Sequence, residues 1–178
     1  KLWNAVSEIY TEEWLLTNWG KIQPTPLKNI HSLKNTELID LGSGRKLQAI
    51  YGPGHAKHHF TFYDEISKTL FMGDTLGLIY PHGNFVQPNL PPPDFNKEVL
   101  FRTLEEIEQL ELEYLALAHF GIHENPYDLI QNAKESIDLW VDFVSKLPTL
   151  SVNSATDLLR SWLTGNYTIL GIDDDTIN

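Results

Sequence analysis

Residues 53–76 read PGHAKHHFTFYDEISKTLFMGDTL, and this stretch decides the fold. Its segment 59–63 places aromatic side chains at alternate positions, which is typical of a β-strand with one buried face. Segment 69–72 is a short apolar run that predicts a second strand. His55 precedes the first strand in a glycine- and proline-containing loop, and Asp74 follows the second. The stretch therefore predicts two neighbouring strands with a polar side chain at an end of each.

Strand patterns continue upstream of this stretch, and helical patterns follow it. Residues 38–41 and 47–51 read as short strands separated by a glycine-containing turn. Apolar residues at helical spacing predict an amphipathic helix over residues 100–110. The continuous apolar run at residues 114–118 predicts a buried strand. This order of strands and helices predicts an α/β or α+β domain built in layers.

Helices are also predicted near both ends of the chain. Helical spacing of apolar side chains covers residues 1–19 and stops at Gly20. A long amphipathic helix is predicted over residues 133–147, ended by Pro148. Residues 154–157 resemble a capping box and predict the start of the last helix.

Composition restricts the partners that the protein is expected to bind. The 178 residues carry a formal net charge of −11, which repels nucleic acid and anionic membrane surfaces. There is no cysteine, so disulfides, thiolate metal sites and cysteine nucleophiles are excluded. No apolar run approaches the roughly 20 residues that span a bilayer. We expect a cytoplasmic protein that acts on a small-molecule substrate.

Three polar residues share one kind of position in the predicted fold. His55 lies in the loop before a strand, Asp74 follows a strand, and His119 ends the buried strand. Side chains at strand ends project into clefts where sites commonly form, and imidazole and carboxylate are usual ligands of catalytic zinc. Spacing alone leaves a second interpretation open: a structural histidine and an aspartate that caps a turn.

The local sequences resemble those of the metallo-β-lactamase superfamily. That family carries a Pro-Gly-His-x-x-x-His loop, a strand and a Gly-Asp-(Thr/Ala) turn, which residues 53–59 and 73–75 match. A last metal-binding histidine follows a further helix and a buried strand, as His119 does here. The separations are 19 residues from His55 to Asp74 and 45 residues from Asp74 to His119.

The resemblance implies an αββα sandwich and a metal-dependent hydrolase. His55 would bind a first metal, Asp74 would bridge two metals, and His119 would bind the second, with zinc expected and iron or manganese as alternatives. His59 would orient the site or pack beneath it, whereas His58 has no counterpart. A metal-activated water would then attack an ester, thioester, lactone or phosphoester.

One family signature is absent from the sequence. The His-x-His-x-Asp-His run, which supplies four further ligands upstream of the loop, is not found, so three of the seven implied positions are present. The chain would be a fragment of a longer enzyme, a metal-free descendant, or one of two chains that share the site; we expect the first. The alternative function is a non-catalytic binding or oligomerisation module that keeps the scaffold without a complete metal site.

We therefore expect residues 1–178 to form a single partial domain that lacks much of its N-terminal half. Residues 1–30 would be a connecting helix and loop, residues 37–125 would hold the metal-ligand strands and loops, and residues 126–178 would be C-terminal helices. Because the resemblance implies a second sheet, residues 37–72 and 114–120 should present an apolar face that needs cover.

Two further histidines are candidates for contacting the metal ligands or for binding the substrate. His82 lies in the proline-rich loop 81–95, which we expect to form an apolar wall beside the site. His123 follows His119 by four residues and is expected near the site or at the surface. The long C-terminal helices are candidates for a homo-oligomer interface.

Overall fold

The computed structural model describes residues 2–80, 85–91, 93–147 and 150–169. The chain divides into two compact units, Lys1–Leu33 and Lys34–Asn178. The first unit contains helix α1 (Leu2–Ile9), helix α2 (Glu12–Trp19) and a single 3-10 turn at Leu27–Asn29. In the described residues no helix is long and apolar enough to cross a bilayer.

The continuous helix predicted for residues 1–19 is wrong, because the structure breaks it after Ile9. The Thr11 hydroxyl accepts a hydrogen bond from the Trp14 backbone N–H at 3.2 Å, which begins α2 as a new helix. The predicted end is confirmed, since Gly20 follows Trp19 with a φ of 73° and its N–H donates to the Leu16 carbonyl.

The second unit holds a six-stranded mixed sheet with its helices. Its elements are β1 (Leu38–Gly42), β2 (Arg45–Tyr51), β3 (Phe60–Asp64), β4 (Thr69–Gly73), α3 (Lys97–Ile107), β5 (Tyr114–Leu117), β6 (Ile122–His123), α4 (Pro126–Ser145) and α5 (Val152–Ile169). The strands lie side by side in chain order. All neighbouring pairs are antiparallel except β4 and β5, which are parallel.

One face of the sheet forms the hydrophobic core with α3 and α4. Alternate residues along the central strands point to this face, as the two-residue period of a strand requires. Helix α3 begins at Asn96, whose side chain accepts a hydrogen bond from the Val99 N–H at 2.9 Å. The buried members of the core are, from the sheet, Tyr63, Leu70, Met72, Leu115 and Leu117, and from the helices, Leu100, Leu104, Ile107, Ile130, Ala133 and Ile137.

The opposite face of the sheet carries apolar side chains, of which Phe71 and Ile122 are open to solvent and Ala116 is buried. Phe62 pairs with Phe71 in the sheet register, and the same row continues through Ala116 to Ile122. The exposed fractions are 42% for Phe71 and 65% for Ile122. This agrees with the apolar face expected from the sequence, and the described residues contain no second sheet to cover it.

The start of the last helix differs from the prediction. Helix α5 begins at Val152, and the Ser151 hydroxyl accepts a hydrogen bond from the Ser154 N–H at 3.2 Å. Ser151 therefore caps the helix, whereas the capping box expected at residues 154–157 lies inside its first two turns. The proline stop at residue 148 lies outside the described residues, and α4 ends before it at Ser145.

Asp64 is a fully buried carboxylate at the end of β3. It accepts hydrogen bonds from Arg45 Nε at 3.0 Å, from the Ser67 hydroxyl at 2.7 Å and from the Ile66 N–H at 3.2 Å. The Arg45 and Ser67 hydrogen bonds are the main reason that the pKa of Asp64 lies below its usual value, although burial acts in the opposite direction. The charged carboxylate therefore stabilises the turn that joins β3 to β4.

The two faces of β4 should respond differently to truncation in this chain. Leu70→Ala should lower the free energy of unfolding by about 2–5 kcal/mol, because Leu70 is fully buried. Phe71 is the neighbouring residue on the open face. Phe71→Ala should lower the free energy of unfolding clearly less, because the Phe71 ring is already in contact with solvent in the folded state. Urea unfolding of both variants measures the difference. Equal losses would mean that the Phe71 face is covered in solution.

The stability that Asp64 contributes should depend on pH. Because its pKa is lower in the folded state, the contribution is complete above the unfolded value of about 4 and is lost as the pH falls through the folded value. The loss in unfolding free energy caused by Asp64→Asn should therefore be largest at neutral pH and shrink below about pH 4. Asp40→Asn, at an exposed position, is the control. A loss independent of pH would contradict this assignment.

Candidate metal centre

The loop that carries His55 is held in place by helix α3. The Gly54 carbonyl accepts a hydrogen bond from the Asn96 N–H at 2.8 Å, and the Pro53 carbonyl accepts one from the Thr103 hydroxyl at 2.7 Å. At Gly54 the backbone touches the helix so closely that a Cβ there would lie 2.4 Å from Leu100 Cα. Only glycine fits this contact, so the loop geometry is fixed by the core helix.

His55 is buried, and its ring orientation follows from one hydrogen bond. Its Nδ1 lies 2.8 Å from the Asn89 carbonyl oxygen, which can only accept, so Nδ1 carries the proton. In the neutral imidazole the lone pair is then on Nε2, which lies 4.0 Å from Asp74 Oδ2. The ring therefore offers a free nitrogen ligand toward Asp74.

Asp74 lies between two imidazoles. It directly follows β4; its Oδ1 lies 3.5 Å from His119 Nε2, whereas its other oxygen, Oδ2, is the one near His55. Oδ1 is buried and has no hydrogen-bond partner. The three residues that the sequence singled out are thus brought together by the fold, with the carboxylate as the shared member.

His119 reaches this position because β4 and β5 are parallel. Parallel strands end at the same edge of a sheet, so residues that follow β4 and β5 become neighbours. The Ala118 N–H donates to the Gly73 carbonyl at 3.2 Å, which extends the pairing up to Asp74 and His119. The His119 side chain is 54% exposed, whereas His55 is buried, so the centre opens to solvent on the His119 side.

His59 packs beneath the turn that carries Asp74. Its Nε2 accepts a hydrogen bond from the Asp74 N–H at 3.3 Å, and its Nδ1 lies 3.0 Å from the Thr75 hydroxyl. Burial, and secondly the nearby His55, lower the pKa of His59, although Asp74 acts in the opposite direction. The imidazole is therefore neutral at neutral pH, and both of its nitrogens are engaged in holding the turn.

Of the other candidate histidines, His58 and His123 form no ion pair with Asp74 in the described part of the chain. His123 lies on β6, and its Nε2 is buried without a hydrogen-bond partner. His58 is exposed in the loop, and His82 lies outside the described residues.

Two aromatic residues lie at the exposed end of the centre. Phe120 follows His119, and its ring centroid lies 5.3 Å from that of Tyr80. Both rings are partly open to solvent, and Phe120 has a φ of 64°, a left-handed conformation that a bulky residue adopts at a cost. The sequence analysis did not identify Phe120; its only signal is its position next to a candidate ligand.

The types of ligand atom in this group suit a pair of metal ions, but their number is too small to complete the coordination of two ions. No group of three or more His, Asp or Glu side chains in the described ranges is placed to hold one ion alone. Asp74, His55 and His119 would hold such ions through carboxylate oxygen and imidazole nitrogen, the ligand atoms that zinc and related metals prefer. A catalytic zinc usually takes three protein ligands, and Oδ1, which is buried without a hydrogen bond, is the atom that a cation would satisfy.

The comparison with known families identifies the fold. The family model of the metallo-beta-lactamase superfamily matches residues 5–119. The chain therefore belongs to the metallo-β-lactamase superfamily, and its mixed sheet with helices is the α+β architecture of that fold.

Individual relatives show the same fold over longer chains. The metallo-beta-lactamase fold-containing protein ST1585 of Sulfurisphaera tokodaii is 30% identical over 90 residues, which cover 51% of this chain and 32% of that protein. The crystal structure of ST1585, described as an archaeal superfamily protein from Sulfolobus tokodaii, has a TM-score of 0.59 and 24% identity, covering 92% of this chain and 59% of that one. A β-lactamase domain protein from Burkholderia ambifaria has a TM-score of 0.56 and 16% identity, covering 80% and 43%. The chain thus spans between about a third and three fifths of these relatives.

The contact between Gly54 and helix α3 should be sensitive to a single methyl group. Gly54→Ala should destabilise the fold because the new Cβ would collide with the Leu100 backbone at 2.4 Å. Gly44→Ala is the matched control, since Gly44 also has a positive φ but nothing lies within 4 Å of its Cβ position. The control should cost about 1–2 kcal/mol, and Gly54→Ala more, as measured by urea unfolding. Equal costs would show that the loop is not clamped.

Proposed function

We propose that His55, Asp74 and His119 are ligands of a two-metal hydrolytic centre. The observation that carries this proposal is the position of the Asp74 carboxylate, 4.0 Å from the His55 nitrogen and 3.5 Å from the His119 nitrogen, with no hydrogen bond to the buried Oδ1. The His55 nitrogen that faces the carboxylate has a free lone pair. Zinc is the metal we propose, with iron or manganese as alternatives, because nitrogen and carboxylate oxygen ligands suit all three.

Electrostatics favours a cation at this point. A buried carboxylate oxygen without a hydrogen bond is unfavourable, and a nearby cation removes that cost. One carboxylate shared by two dications also lowers their mutual repulsion, while neutral imidazoles leave the centre a net positive charge. Further ligands are needed beyond the donors that these three residues provide.

The metals, when bound, would supply a water of lowered pKa that attacks a carbonyl or phosphoryl group. The chain's own residues set the geometry of that site. The Asn89 carbonyl holds the His55 ring in one tautomer, and His59 holds the Asp74 backbone. Burial of His55 on one side and exposure of His119 on the other give the substrate a single direction of approach.

The substrate we propose is a small ester, thioester, lactone or phosphoester with an apolar or planar group. The Tyr80–Phe120 pair beside His119 offers partly exposed ring faces to such a group. The net charge of −11 disfavours nucleic acid as a substrate.

A binding or oligomerisation module is the second candidate. The open apolar face around Phe71 and Ile122 favours it, because exposed apolar patches of this kind usually pack against a partner. In that case, the protein would associate through the sheet without stoichiometric metal.

His119→Ala in the complete, metal-loaded protein should separate the two candidates. Loss of this ligand should lower kcat/KM for 4-nitrophenyl acetate, or for a thioester, by more than about 100-fold. Removing a residue that only hydrogen-bonds a metal ligand already lowers metal affinity or activity by about 10- to 100-fold. His58→Ala, at an exposed position in the same domain, is the control and should retain wild-type kinetics. Elemental analysis should show less bound metal in His119→Ala only. Unchanged turnover in His119→Ala would reject the hydrolase proposal.

A further inference from the structure

Asp40 lies within β1, Asp64 ends β3 and Asp74 directly follows β4, and the hydrogen bonds of Asp74 differ from those of the other two. Asp40 Oδ1 accepts a hydrogen bond from the Gly42 N–H at 2.7 Å, and Asp64 Oδ1 accepts one from the Ile66 N–H at 3.2 Å. Both carboxylates thus bind the backbone two residues ahead, the usual local contact of aspartate in a turn. Asp74 Oδ1 makes no such bond.

Two backbone donors next to the Asp74 side chain, its own N–H and that of Thr75, are already engaged. The Asp74 N–H donates to His59 Nε2 at 3.3 Å, and the Thr75 N–H donates to the Met72 carbonyl at 3.2 Å. Neither donor is free to capture the carboxylate. The turn is therefore closed by His59 and Met72, which leaves the Asp74 side chain available for another ligand.

The direction of the hydrogen bonds fixes the tautomer of His59. Because Nε2 accepts from a backbone N–H, it carries no proton, and the single proton of the neutral ring is on Nδ1. Nδ1–H then donates to the Thr75 hydroxyl oxygen, 3.0 Å away. Thr75 is 1% exposed, so water does not compete for this contact.

Gly73 is the residue that admits the His59 ring beneath the turn. A Cβ at Gly73 would lie 2.6 Å from His59 Nε2 and 2.8 Å from its Cε1. The ring occupies the space where any other side chain would begin. The imidazole is thus packed against the peptide that precedes Asp74 as well as bonded to it.

We propose that Thr75 is a positioning residue of the centre: by accepting the Nδ1–H of His59, it selects the tautomer whose Nε2 holds the Asp74 N–H and so keeps the carboxylate free. The role toward metal rests on the proposed function, because it takes the Asp74 carboxylate as a ligand. The hydrogen-bond chain from the Thr75 hydroxyl through His59 to the Asp74 N–H, which we call the relay, is a property of the fold and is tested separately.

The first measurement is the tautomer of His59 in metal-free protein. Two-bond ¹H–¹⁵N correlation spectra should show Nδ1–H in the wild type. Thr75→Val, which removes the acceptor, should lose this preference, and Thr75→Ser, which keeps a hydroxyl, should restore it. Thr61→Val is the matched control, since Thr61 is fully buried and its hydroxyl has no partner among the described residues; it should leave the His59 signals unchanged.

The second measurement is zinc affinity, from competition with a chromogenic chelator. Thr75→Val should weaken Zn²⁺ binding by about 10- to 100-fold, as is typical for the outer partner of a metal ligand, while Thr75→Ser and Thr61→Val should bind Zn²⁺ like the wild type. Gly73→Ala, which displaces the ring by another route, should weaken Zn²⁺ binding in the same way and serves as the test if Thr75→Val does not fold.

The outcomes separate the relay from the metal centre. A wild-type His59 protonated on Nε2, or a Thr75→Val protein with the wild-type tautomer and wild-type affinity, would overturn the relay and leave the metal centre standing. Wild-type protein that binds no Zn²⁺ but shows a tautomer that depends on Thr75 would support the relay and reject the metal centre.

Discussion

The parallel pairing of β4 with β5 is the contact on which the candidate centre depends. Asp74 and His119 lie 45 residues apart in the chain and meet only because these two strands end at the same sheet edge. The connection between them must leave the sheet and return in the same direction. Helix α3 lies in that connection and packs on the sheet, and its first turns also hold the loop of His55. One topological feature therefore places all three candidate ligands.

Stability and site geometry are coupled through helix α3. Leu100 is a buried core residue, and its backbone is also the surface against which Gly54 packs. Thr103, on the next turn, bonds the Pro53 carbonyl. A helix that cannot shift without opening the core gives His55 a rigid support, and its Nδ1 contact with Asn89 leaves the ring a single orientation. The His119 side, in contrast, is supported by a short turn and is more exposed.

Local patterns in the sequence were sufficient for strands β1 to β5 and for helices α3 and α4, whereas the expectation that His55, Asp74 and His119 share a site came from the family resemblance. Alternation and strand-end positions are properties of neighbouring residues, so they can be read from the chain. The Asn89 carbonyl and the Thr75 hydroxyl could not be assigned a role, because a backbone acceptor has no sequence signature and a tautomer depends on tertiary contacts. Strand β6 has two residues, which are too few to form a recognisable pattern. Ser151 lies three residues before Ser154 and caps the last helix in its place.

The order of the strands also has a consequence for how the molecule folds. Four of the five connections between neighbouring strands are short, and only the connection from β4 to β5 needs the ends of about 40 intervening residues to meet. Closing a long loop costs conformational entropy before the contacts it brings together have formed. Such a step is therefore slow relative to hairpin formation. The event that unites Asp74 with His119 is thus the most non-local step in building the sheet. An ion that requires both residues would bind only chains that have completed this closure, and would shift the folding equilibrium toward them.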